Sequence, residues 1–197
     1  DELIQIGSSA AVLRGGSGND IILGGVGADT IFGDDGDDRI YGDEAEALYN
    51  GADAIGFGGN DVISGGRGNE VIYGQYGDDN ITGGSGVDIL FGQEGRDTLR
   101  GGADDDQLFG GVDDDELRGE AGNDQLSGGQ GLDKLYGGAG DDQLLGGGGR
   151  DGLDSSEIGS ENADLLIGGA GDDHLVGLSG SDVMDGGTGD DVLTGGG

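Results

Sequence analysis

The sequence predicts an all-β chain wound as a solenoid of two parallel sheets, and three observations predict it. A nine-residue phrase repeats along almost the whole length. Each phrase opens on glycine, and each closes on three residues of which only the middle one is apolar in every unit. The stretch 83–100, GGSGVDILFGQEGRDTLR, holds two such phrases end to end. A period of this kind marks stacked repeats that bury one another's apolar side chains.

Eighteen units fall into register. They begin at Gly15, Gly24, Gly33 and Gly56, then every nine residues from Gly65 to Gly146, then at Gly159, Gly168, Gly177 and Gly186. Two interruptions break the frame, residues 42 to 55 and a four-residue insertion, Ser155 to Ile158; bulged loops are expected there. Residues 6–14 read as a decayed unit in which Leu13 takes the core position and Ala11 replaces the acidic residue. Residues 1–14 are therefore expected to cap one continuous domain, 15–197, cut from a longer polypeptide.

Position four is glycine except at Asp104, Asp113 and Asn162, residue types that tolerate a left-handed backbone. Position two accepts Asp34, Phe57, Gln75, Glu120 and Leu178. Positive φ is accordingly expected at position four and not at position two. Position eight is Ile, Leu or Met throughout, between variable neighbours, which suits a three-residue strand with one side chain pointing inward.

Position six is acidic in every unit: Asp20, Asp29, Asp38, Asp61, Glu70, Asp79, Asp88, Asp97, Asp106, Asp115, Asp124, Asp133, Asp142, Asp151, Asp164, Asp173, Asp182 and Asp191. Asp53, in the interrupted stretch, offers one irregular turn more. Glu70 is the sole departure from aspartate. One methylene longer, it is expected to make a weaker or distorted site, so that a Glu70→Asp change would not lower cation affinity.

Composition sets the remaining bounds. The formal net charge is −34 and only 32 % of residues are hydrophobic, so in plain buffer self-repulsion should outweigh what little surface can be buried. A phosphate backbone would be repelled, which excludes nucleic acid as a partner. No apolar run reaches membrane-span length, and the first residues, DELIQIGSSAAVLR, are not a signal peptide. With no cysteine there is no disulfide framework.

Together these positions resemble the repeats-in-toxin (RTX) nonapeptide, G-G-x-G-x-D-x-U-x, over residues 15 to 197. The resemblance implies a right-handed parallel β-roll, with six-residue turns, three-residue strands and calcium between stacked turns. The implied ligands are turn carbonyls and the position-six carboxylates. It also implies bacterial export in the unfolded state by a one-step (type I) secretion system and folding outside the cell. Independently, calcium takes six to eight oxygen ligands, whereas zinc would want the His or Cys that this chain lacks, having one His and no Cys. Alternating sheets put each turn beside the one eighteen residues away, leaving room for about a dozen to seventeen ions.

Positions seven and nine should point outward. One face then reads Val71/Tyr73, Ile89/Phe91, Gln107/Phe109, Gln125/Ser127 and Gln143/Leu145, continued by Leu165/Ile167 if the second insertion keeps parity. Its Tyr73/Phe91/Phe109 ladder is a candidate surface for self-association or for docking a neighbouring domain of a longer chain. His174, at position seven, should face solvent.

No G-x-S-x-G elbow, H-E-x-x-H pair or second histidine is present, and Asp106 of the close pair Asp105/Asp106 holds the cation position. The chain is expected not to be an enzyme. Mixed residues at positions three and five leave no regular Thr or Asn rank for binding ice. Two functions stay open: a calcium-triggered secretion and folding module of a toxin or extracellular enzyme, or a structural segment of a large surface protein or adhesin.

Overall fold

The computed structural model describes residues 3–5, 10–25, 27–42, 58–154, 163–177 and 181–195. Asp53 and the insertions at 44–50 and 155–158 lie outside them. Twenty strands form two ten-stranded sheets, with successive strands falling alternately on one sheet and the other. All the pairings are parallel, and outside the two interruptions they connect residues eighteen apart, as in Thr98↔Glu116 and Gln107↔Gln125. The described residues contain no helix. Each sheet can be all-parallel because every return to it passes through the opposite sheet, so no hairpin is needed.

Between the sheets runs a core one side chain wide per turn. Leu13, Ile22, Ile31 and every later position-eight residue to Leu175 are buried, and Met184 packs against the end of the column. Leu13 confirms that the decayed unit keeps its core position. Leu3–Gln5 pairs with Ile21–Leu23, so the roll already begins before residue 14.

Three features differ from the sequence reading. First, most strands are six residues long, not three: Asn80–Ser85 and Thr98–Ala103 cover positions seven to nine and the next three. Pairing holds on both sides of the position-one glycine, as in Arg100↔Arg118 and Gly102↔Glu120. Each strand is thus two short arms hinged at that glycine, and the true turn shrinks to positions four to six.

Second, position two also takes positive φ: Asp34 at 76°, Gln75 at 84°, Gln93 at 89° and Glu120 at 78°, like position-four Asp104 and Asp113 at 78° and 74°. Polar side chains at position two are therefore accepted on a left-handed backbone, not on a relaxed one.

Third, the long interruption adds no turn to the stack. Thr30–Asp35 pairs directly with Val62–Arg67, and Arg39–Tyr41 with Val71–Tyr76. Gly42 fills position one for the turn of Asp61, the role that the sequence frame gives to Gly56. The second insertion keeps parity, since Gln143 pairs with Leu165 and Leu145 with Ile167.

On the outer face of one sheet, Tyr41, Tyr73, Phe91 and Phe109 form a stacked column with centroid separations of 5.0, 4.8 and 5.0 Å. That spacing is the inter-strand distance, so register alone puts ring on ring. Arg118 lies over Tyr136 on the opposite sheet, 4.3 Å from the ring centroid. His174 is exposed.

Candidate metal centre

Each position-six side chain leaves the turn inward, beneath the strands. From Asp20 to Asp173 all those described are buried; Asp182 and Asp191, in the last turns, are half-buried. Burying a carboxylate requires compensation, and here half of it is visible. Oδ1 accepts the backbone N–H of the position-six residue one turn earlier. Asp88 N–H donates to Asp106 Oδ1 at 2.8 Å, Asp97 N–H to Asp115 at 2.8 Å, and Asp106 N–H to Asp124 at 2.8 Å. The relay crosses both insertions, from Asp29 to Asp61, Asp142 to Asp164 and Asp151 to Asp173. It begins at Ala11, whose N–H donates to Asp29 Oδ1 at 2.7 Å. The cap turn therefore donates an amide without supplying a carboxylate of its own.

Oδ2 is placed differently. In Asp29, Asp38, Asp88, Asp97, Asp106, Asp115, Asp124, Asp133, Asp142, Asp151 and Asp173 it is buried without a hydrogen bond. It faces the position-one glycine of its own unit and the carbonyl of the corresponding glycine one turn on. A Cβ built on Gly15 would lie 2.7 Å from Asp20 Oδ2 and 2.7 Å from the Gly33 carbonyl oxygen. On Gly146 the distances would be 2.6 Å to Asp151 Oδ2 and 2.5 Å to the Gly168 carbonyl oxygen. Position one is glycine in all eighteen units because a side chain there would fill a space bounded by oxygens.

The electrostatics describe the same strain. Burial pushes the Asp106 and Asp115 carboxyls up to about 8, and neighbouring carboxylates push the same way. Burial raises Asp97 and Asp142 to about 7, and Asp124 and Asp133 to about 6. In each case the amide that donates to Oδ1 pulls back toward the ionised form. Burial also raises Asp29, Asp38, Asp151 and Asp173. Burial raises both Glu70 and Asp88; the Asp88 charge raises Glu70 further, and the side-chain hydrogen bond between the two raises Glu70 while lowering Asp88.

Among the described residues no three acidic, histidine or cysteine side chains converge on one point. A cation here must draw on main-chain carbonyls as well as carboxylates. An all-oxygen donor set with stacked carbonyls fits calcium, which tolerates many ligands in flexible geometry, better than magnesium.

A second ladder went unread in the sequence. At position five, exposed Asp and Asn side chains accept the N–H of the next turn's position five. Arg96 N–H donates to Asp78 Oδ1 at 3.0 Å, Asn123 N–H to Asp105 at 2.8 Å, and Asp141 N–H to Asn123 at 2.9 Å. The enrichment of Asp and Asn at that position was the available signal; its interruption by Val87, Arg96, Leu132 and Arg150 hid it.

Among curated proteins no match is found. The family model of the RTX calcium-binding nonapeptide repeat, four copies long, matches residues 14–45, 55–90, 82–117, 91–126, 118–153 and 158–197. These matches cover most of the chain, including both sides of each interruption. The chain belongs to the RTX calcium-binding nonapeptide repeat family and is a calcium-binding repeat module built as a β-roll.

Proposed function

We propose that calcium ions bind along both edges of the roll, held by the position-six carboxylates from Asp20 to Asp191 together with turn carbonyls, and that this binding drives folding. The observation that carries the reading is the row of buried Oδ2 atoms without hydrogen bonds, most of them set near the carbonyl oxygen of the next turn's position-one glycine. The ion supplies the positive charge that a stack of ionised carboxylates lacks. The chain's own residues shape the cradle, fix each carboxylate through the Oδ1 bond and bury it above the aliphatic column. In a cell with low cytosolic calcium such a module stays extended for export, then folds outside and helps an attached toxin or extracellular enzyme to fold. On this reading it is a secreted bacterial module without catalytic chemistry of its own.

The stacked Tyr41–Phe109 column favours a second reading, a spacer of a large surface protein or adhesin that docks through that face. No helix of the described residues is long and apolar enough to cross a membrane.

Calorimetric titration of Asp115→Asn tests the site. Asparagine keeps an oxygen for the Asp97 amide and removes the charge. Bound calcium should fall by about one or two ions per chain, since each carboxylate faces its two neighbouring turns. Unchanged stoichiometry and midpoint would remove Asp115 from the ligand set.

A further inference from the structure

Glu70 uses its carboxylate differently from the aspartates. The residue is fully buried, and neither Oε1 nor Oε2 meets an amide donor; the side chain's hydrogen-bonding neighbour is the Asp88 carboxyl one turn on. Its own N–H donates to Asp88 Oδ1 at 2.8 Å, so the relay leaves this turn normally on one side. On the other side the carboxylate of this longer side chain stays beside its own turn's glycines, and the Asp38 amide has no bond to it among the described residues. The opposite edge crosses the same interval through Asp29 N–H and Asp61 Oδ1 at 2.6 Å. The gap therefore belongs to the glutamate and not to the insertion.

The two oxygens lie beside two glycines of their own turn. A Cβ on Gly65 would stand 2.8 Å from Oε2 and 2.6 Å from the Gly83 carbonyl oxygen, the same cradle that every aspartate faces. A Cβ on Gly68 would stand 2.7 Å from Oε1, beside the Gly36 carbonyl. The carboxylate thus spans positions one and four, with a carbonyl oxygen at each end. An aspartate commits Oδ1 to an amide and turns Oδ2 alone to the cradle; Glu70 turns both oxygens.

We propose that Glu70 is a bidentate calcium ligand, and that its turn is a separate class of site, more selective for calcium over magnesium than the aspartate turns. A bidentate carboxylate adds one oxygen to a cation that accepts six to eight, and it suits the larger ion. Magnesium demands a tight octahedron and keeps its waters. The added length relocates the site rather than weakening it, contrary to the expectation from sequence alone. The inference rests on the reading that position-six residues hold calcium.

The test uses the whole chain, loaded with calcium and challenged with excess magnesium and limiting chelator, with retained calcium measured by atomic absorption and β content by circular dichroism. The wild type should retain one calcium per chain more than Glu70→Asp, whose calcium-over-magnesium preference at that turn falls by about tenfold. Europium substituted for calcium should give a minor excitation band that Glu70→Asp abolishes. Glu70→Gln, which keeps the length and loses the charge, should lose the same ion. Equal retention and identical europium spectra in wild type and Glu70→Asp overturn the inference. Asp97→Asn separates the two levels: it should lose calcium while keeping the magnesium-resistant ion. If Asp97→Asn loses calcium and both Glu70 variants lose none, the inference on Glu70 alone fails. If none of the variants changes calcium content, the position-six reading itself fails.

Discussion

Added to metal-stripped protein at neutral pH, millimolar calcium should convert the far-ultraviolet circular dichroism from that of an unfolded chain to that of a β-rich one, in a cooperative transition. The apolar contribution is small, because the core is a single column with one aliphatic side chain per turn. Against it stand a formal charge of −34 and a row of carboxylates buried with one oxygen unsatisfied. If each site had a dissociation constant of about 0.1–1 mM, as extracellular modules do, 1 mM calcium would add roughly 0.4–1.4 kcal/mol per site. Over about a dozen to seventeen sites the sum is roughly 5–24 kcal/mol, comparable with the whole stability of an ordinary domain. Calcium then decides whether the fold exists. Full β structure retained in excess chelator at pH 7 would refute the dependence.

Protons should replace calcium in part. Metal-stripped protein brought from about pH 8 to about pH 5 should gain β structure, because protonation neutralises the carboxyls that the fold raises most. The sign follows from the direction of the shifts. Burial holds Asp106 and Asp115 near about 8 in the folded chain, against 3.8 for the ordinary group. A raised acid favours the folded state while protonated. Its contribution is complete below 3.8 and is lost as pH climbs through about 6 to 8, the range spanned by Asp124, Asp97 and Asp106. About pH 5 lies between 3.8 and that range, where the raised carboxyls are protonated only in the folded chain, and above the isoelectric point of about 4.1, where precipitation would obscure the signal. By the same linkage, calcium uptake near pH 7 should release protons. Equal β content at the two pH values, or more at pH 8, contradicts this account of the buried carboxyls.

Much of this architecture is legible in the residues because the repeat imposes one geometry many times. The column from Ile22 to Leu175 follows from counting positions; the eighteen-residue spacing follows from the family resemblance, and the parity that aligns Leu165 with Gln143, left open by the sequence, is fixed by the pairing. Backbone detail within the phrase does not follow from counting. Glutamine and glutamate at position two read as freedom, yet Gln75 and Glu120 hold left-handed φ. Strand length was misjudged because a glycine hinge and a short second arm look like turn in sequence.

The frame across residues 42–55 was misread for a related reason. Several glycines could open the unit, and only the stack shows that Gly42 pairs with the Asp61 turn. The aspartate itself was plain, but the division of labour between its oxygens was not. That division depends on which neighbour's amide comes within reach, and so on why Glu70 differs.

The most direct measurement of the central claim is an anomalous difference map from crystals grown in millimolar calcium. Peaks should lie along both edges, about 2.3–2.6 Å from carboxylate and carbonyl oxygens, at the turns of Asp79, Asp97, Asp115 and their counterparts. An ordered roll without such peaks, or with those carboxylates turned out to solvent, would contradict it.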